Sequence, residues 1–210
     1  MTLFTRTIPV FAALAALAPM LASPAHSQSV PEQIELGLHL YQDGEYGAAI
    51  TELEFAINDI RNAMSEGIAG TFPTAPPGWT GKAVTSSGES AAMIGMLGGG
   101  TILEKHYVEE GGQGIIEVTL MLDSPMAQGL GAMLSNPALI GVQPNAERVR
   151  VGRETATLTW EVDRRSAEAM MMLDGRILLR LEGSNLSSAD PVRDLLQTWD
   201  LDALRAHAAR

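Results

Sequence analysis

Cysteine is absent from this chain of 210 residues. That excludes disulfide bonds and an N-terminal lipid anchor attached through a thioether. Basic residues are scarce: 14 Lys and Arg stand against 25 Asp and Glu, a formal charge of −11. Such a chain is repelled by phosphate backbones and anionic lipid surfaces, which excludes nucleic acid as a partner. No uninterrupted apolar run beyond Leu21 approaches the length of a membrane-spanning helix. Motifs for nicotinamide, flavin or haem are missing too, so no cofactor is expected.

The first apolar run reads as a leader. Ile8 to Leu21 is alanine-rich, Arg6 is the one charge before it, and small residues follow in "ASPAHSQS". Ser23/Ala25 or Ala25/Ser27 fit the positions preceding a cleavage site. This predicts a signal peptide over residues 1–27, cut between residues 25 and 29, and a soluble periplasmic or secreted product. Without Arg6, 13 basic residues face 25 acids, a charge of −12. With no disulfides, roughly 180 remaining residues must be held by a core, which one domain can supply.

Residues 28–69 are expected to form two antiparallel helices. Ile50, Leu53, Ile57, Ile60 and Met64 recur at three- and four-residue spacing, and Gly44 in "QDGEY" marks the reversal. Leu36, Gly37, Gly44, Tyr46, Ala49, Leu53 and Ala56 also fall at the spacing of a tetratricopeptide repeat, and the segment resembles one such repeat. The resemblance implies close helix packing through the small residues, with Tyr46 near the turn. Arg61 stands where that family places a helix-ending proline, so the second helix is expected to run on. One repeat cannot cover its own apolar face. It must dock on the rest of the chain or on a partner. Eight acids between Glu32 and Glu66 face Arg61 alone, a local charge of −7.

A proline-rich linker, residues 70–78, leads to an α+β domain over residues 79–210. Ile116, Val118, Leu120 and Leu122 alternate with Glu117 and Thr119, and Ala156, Leu158, Trp160 and Val162 alternate with polar partners. Asp174-Gly175 is a two-residue hairpin signal; "EEGGQG" and Gly152-Arg153 mark further reversals. Helices are expected from Ser124, carrying Met126, Leu130, Met133 and Leu134, and from Asp190-Pro191, carrying Val192, Leu195, Leu196, Trp199 and Leu204. Short connections imply a meandering antiparallel sheet of six or seven strands with helices on one face. Hairpin followed by sheet also resembles a group of exported bacterial proteins of unassigned function.

The chemistry candidates are few. The glycine run in "MLGGGTILEKHY" precedes strand-like sequence and lacks the lysine of a phosphate loop, so it reads as a turn. Glu104 and His106 lie two apart on a predicted strand, sharing a face, and could supply two metal ligands. Met170 and Met172 form a Met-x-Met pair, and thioethers are soft ligands for Cu(I). Ser90 in "GESAA" approximates a nucleophile elbow without its strand and helix context. No catalytic residue is assigned. Three readings stand: a non-catalytic interaction protein whose Glu45, Glu52 and Glu54 meet a basic protein partner, a periplasmic copper-binding protein, and a small hydrolase. Oligomeric state is not legible.

Overall fold

A computed structural model of the protein describes residues 29–86, 100–125, 127–129 and 145–209. The predicted signal peptide lies outside them. Helix α1, Val30–Gln42, opens with Pro31 in its first turn, and the Glu32 carboxylate accepts from the Ser29 amide at 2.8 Å. Gly44, at φ 82°, turns the chain where a side chain would be strained. Helix α2, Tyr46–Ala69, then runs antiparallel to α1. Gly37, Ala49 and Ala56 are buried between the two, and a Cβ on Gly37 would lie 2.8 Å from Leu53 Cγ. Small residues therefore set the close approach. Without a helix-ending proline, α2 continues to Ala69 and buries Ile68 completely.

The linker is pinned at once. Phe72 packs on Trp199 with ring centroids 5.0 Å apart. The Tyr107 hydroxyl donates to Pro73 O at 2.6 Å and Lys105 Nζ donates to the same oxygen at 3.1 Å. Burial pushes the Tyr107 phenol above its ordinary range and the Lys105 ammonium below its own.

Among the described residues eight strands follow: β1 Trp79–Gly81, β2 Thr85–Ser86, β3 Thr101–Glu109, β4 Ile115–Leu122, β5 Ala146–Val151, β6 Glu154–Glu161, β7 Ser166–Leu173 and β8 Ile177–Ser184. All pairings are antiparallel, in the order β1-β3-β4-β8-β7-β6-β5, with β2 also on β3. Two meanders meet where β4 pairs with β8. Asp174 and Gly175 take φ of 50° and 68° and turn the chain as expected. Leu173 is registered opposite Ile177, however, so the connection is three residues rather than two. The Arg176 amide donates to Leu173 O at 3.0 Å, and Arg176 is the extra residue. The class is α+β, a helical hairpin followed by an antiparallel sheet.

Strand alternation sends Val118, Leu120, Leu158, Ala169, Met171, Leu179 and Leu181 to one face, where they form the main core with the base of α2. Helices α3, Asp190–Gln197, and α4, Leu201–Ala208, cover it. The sequence reads as one closing helix; the structure breaks it at residues 198–200. The cause is local: Asp200 starts a new helix by accepting from the Ala203 amide at 2.9 Å. Trp199 is buried at the break. Val162 is 69% exposed rather than inward-facing, because β6 ends at Glu161.

The opposite face carries a smaller cluster of Met121, Ala127 and Leu178, with Ile102 and Met172 packed against it. Residues 125 and 127–129 are helical, as Ser124-Pro125 predicts; Met126, Leu130, Met133 and Leu134 lie outside the described residues. At the sheet end, Arg176 donates to both Asp123 oxygens at 2.7 and 2.6 Å. Hydrogen bonding from Arg176 holds the Asp123 carboxyl below the usual carboxylate range. A carboxyl depressed by folding contributes stability above its unfolded pKa of about 4, lost as pH falls through the folded value. Asp123→Asn should therefore lower the thermal midpoint at neutral pH, and the gap from wild type should close on acidification below about pH 4. A gap that persists unchanged at lower pH would show that the ion pair is not its source.

Candidate functional site

The four candidate metal ligands share the less covered face of the sheet. Glu104 stands opposite Thr119 and His106 opposite Glu117. Met170 stands between Thr157 and Arg180, and Met172 opposite Leu178. Strands β4 and β8 separate β3 from β7, so the two pairs are about 14 Å apart, three strand spacings. They do not converge. His106 Nδ1 lies 3.9 Å from Glu117 Oε2, a cross-strand neighbour rather than Glu104. Among the described residues no group of three or more His, Asp or Glu is placed to hold a metal ion. Met172 is half-buried against the Met121–Leu178 cluster, and Met170 is half-buried beside it on β7.

Registration of the strands creates a row that the sequence does not display. Glu117, Glu182 and Glu168 are direct cross-strand neighbours on β4, β8 and β7. Like charges so placed repel. Arg180, one step along β8, offsets this by donating to Glu168 at 2.9 Å and to Glu182 at 2.5 Å. A shallow cleft of about 360 Å³ opens over the row, lined also by Thr159, Glu161, Arg164, Ser166 and Ser184. Its charges are largely spent on one another.

The glycine run resolves in part. Gly100 has φ 117°, a Cβ there would meet Leu122 O at 2.9 Å, and β3 begins at the next residue. A turn into a strand is its role at that end; Gly98, Gly99 and Ser90 lie outside the described residues.

The helical hairpin is the most unusual surface. Its base is anchored, since Met64, Ile68 and Ala69 join the main core. Beyond that base, α1 and most of α2 pack on each other and leave one flank in water. Ile34, Leu38 and Tyr41 from α1, and Tyr46, Ile50, Leu53, Ile57 and Ile60 from α2, are each between 37% and 61% exposed. Tyr41 and Tyr46 meet at 5.5 Å, which joins the two rows into one apolar flank. Together these side chains leave on the order of 800 Å² in water, beyond the few hundred Å² typical of the largest patch on a monomer.

The acidic candidates are divided by the same geometry. Helical spacing puts Glu54 beside Leu53 and Ile50 on the border of the apolar flank. Glu45 is exposed in the turn next to Tyr46. Glu52 is half-buried and shares the opposite flank with Asp59. Among the described residues none of the hairpin's eight acids enters a salt bridge.

Comparison of the chain with family models, curated proteins and solved structures finds no match. Among the described residues no helix is long and apolar enough to cross a membrane.

Proposed function

We propose that this is an exported, soluble, non-catalytic interaction protein whose helical hairpin is its contact surface for a basic protein partner. One observation carries the reading: among the described residues the hairpin is anchored only at its base and holds a continuous apolar flank in water. An unpartnered flank of this size costs stability in the free protein unless something covers it. The local charge of −7 on residues 32–66 gives the sign of the partner. The tetratricopeptide-like spacing agrees with this reading, since such hairpins present their faces to other chains.

Native mass spectrometry of the protein, purified gently from an exported fraction, tests it. A second polypeptide should be retained, released by salt, and lost when Glu45 and Glu54 are both changed to lysine. Retention indifferent to salt and to both changes would remove the acidic surface from the account. A bare monomer mass under all gentle conditions would remove partner binding itself.

A further inference from the structure

We infer that the seat for the partner is the apolar flank itself, and that its occupant is a basic amphipathic helix laid along the seam between α1 and α2. This rests on the reading of the hairpin as a contact surface and adds what the surface holds and in what form.

Three observations converge. The first is spacing. Tyr46, Ile50, Leu53, Ile57, Ile60 and Met64 follow one another at intervals of four, three, four, three and four residues, the 3.5-residue period of a helix-packing seam. From Tyr46 to Ile60 this stripe runs straight for about 21 Å, or four turns. Ile34 and Leu38 of α1 form the second wall. A helix presenting side chains at the complementary period fits between them, and a strand does not.

The second is area. Roughly 800 Å² of exposed surface on the eight residues of the flank is what one partner contributes to a standard-size interface. The third is charge. Glu35 adjoins Ile34 in sequence, Glu45 adjoins Tyr46 and Glu54 adjoins Leu53, while Arg61 is the single cation nearby. A second copy of this chain would set rim carboxylates against rim carboxylates. Lysines or arginines flanking the apolar face of another protein's helix would meet them with opposite sign.

The probe is a synthetic, fluorescein-labelled helix of about three heptads, with leucine at the seam positions and lysine beside them. A control peptide keeps the leucines and has glutamate in place of lysine. Anisotropy titration of the exported protein should show the lysine peptide bound and the glutamate peptide at least about tenfold weaker. Changing both Glu45 and Glu54 to lysine should weaken the lysine peptide about tenfold. The pair I50D and I57D should weaken it about a hundredfold. These two variants add negative charge, so diffuse attraction to an acidic surface would strengthen instead. Their urea midpoints should fall only slightly below wild type, because both side chains are already about half in water.

Equal binding of both peptides, or failure of both to bind, would overturn the inference. So would a stable dimer dispersed by I50D and I57D, which would show a second copy on the seam. If the I50D and I57D protein still retains a polypeptide from the exported fraction, partner binding survives and only the seat is wrong. If wild type retains none and binds neither peptide, both readings fall together.

Discussion

Trp199→Ala should destabilise the protein by about 3–5 kcal/mol, the range for emptying a large buried aromatic site. Trp199 is 4% exposed and fills the break between α3 and α4, where Phe72 stacks against it. Phe72 lies three residues beyond the end of α2. The lost volume therefore lies under the joint between hairpin and sheet as well as in the core. Equilibrium urea unfolding should show the full loss, and hydrogen exchange should rise first at residues 64–72. The indole nitrogen has no hydrogen-bond partner although it is buried. Trp199→Phe, which keeps most of the ring and deletes that orphan donor, should therefore cost less than about 1.5 kcal/mol. Equal losses in the two variants would mean that ring packing is not what holds the joint.

Leu181→Ala is the second large effect, at about 2–5 kcal/mol. Leu181 is fully buried on β8, with Val118 and Ala169 as its registered neighbours on either side. Ala169 is too small to fill the space, and the backbone is fixed by pairing on both edges. A domain of this size commonly has only about 5–15 kcal/mol in total. The variant should thus lose a large share of its stability, seen as a lower urea midpoint. Ile57→Ala on the exposed flank of α2 should stay within about 0.5 kcal/mol of wild type. A comparable loss at Ile57 would mean that this flank is covered in solution by the chain itself or by a second copy.

Much of the fold is legible in single segments. Alternation in Ile116–Leu122 and Ala156–Trp160 marks both the strands and their inward faces, because side chains on a strand project with period two. Asp174-Gly175 marks its hairpin for an equally local reason, the left-handed backbone both residues adopt. The pairing of β4 with β8 is not local. More than sixty residues separate Val118 from Leu181 in sequence, and no property of either strand selects the other. The same blindness hides the cleft. Glu117 is visible as an outward-facing residue, yet only registration sets it beside Glu182 and Glu168 and gives Arg180 its two carboxylates. The spacing that proposed Glu104 with His106 is correct about the shared face and silent about Glu117, the nearer carboxylate. For the hairpin, the 3.5-residue rhythm of Ile50, Leu53, Ile57 and Ile60 reveals an apolar stripe. It carries no information on what, if anything, lies over that stripe. The break at Trp199 escaped for a different reason. Apolar residues on either side keep helical spacing, and only the capping carboxylate of Asp200 shows that a new helix starts there.

Among the described residues the hairpin joins the sheet through the base of α2, and this has a mechanical consequence. A helix of 24 residues held at one end is a stiff boom about 36 Å long, with its far tip at Tyr46. On the proposed reading, a partner seated along the boom would leave free the cleft over Glu117 and Glu182, which opens on the face of the sheet opposite the core that α2 joins. A load at the tip bears on a short fulcrum formed by Ile68, Phe72 and Trp199. Tilting the boom by about five degrees would move its tip by about 3 Å while the sheet stays still. Domain and partner would thereby be insulated from each other: one could be exchanged, or turned, without disturbing the other.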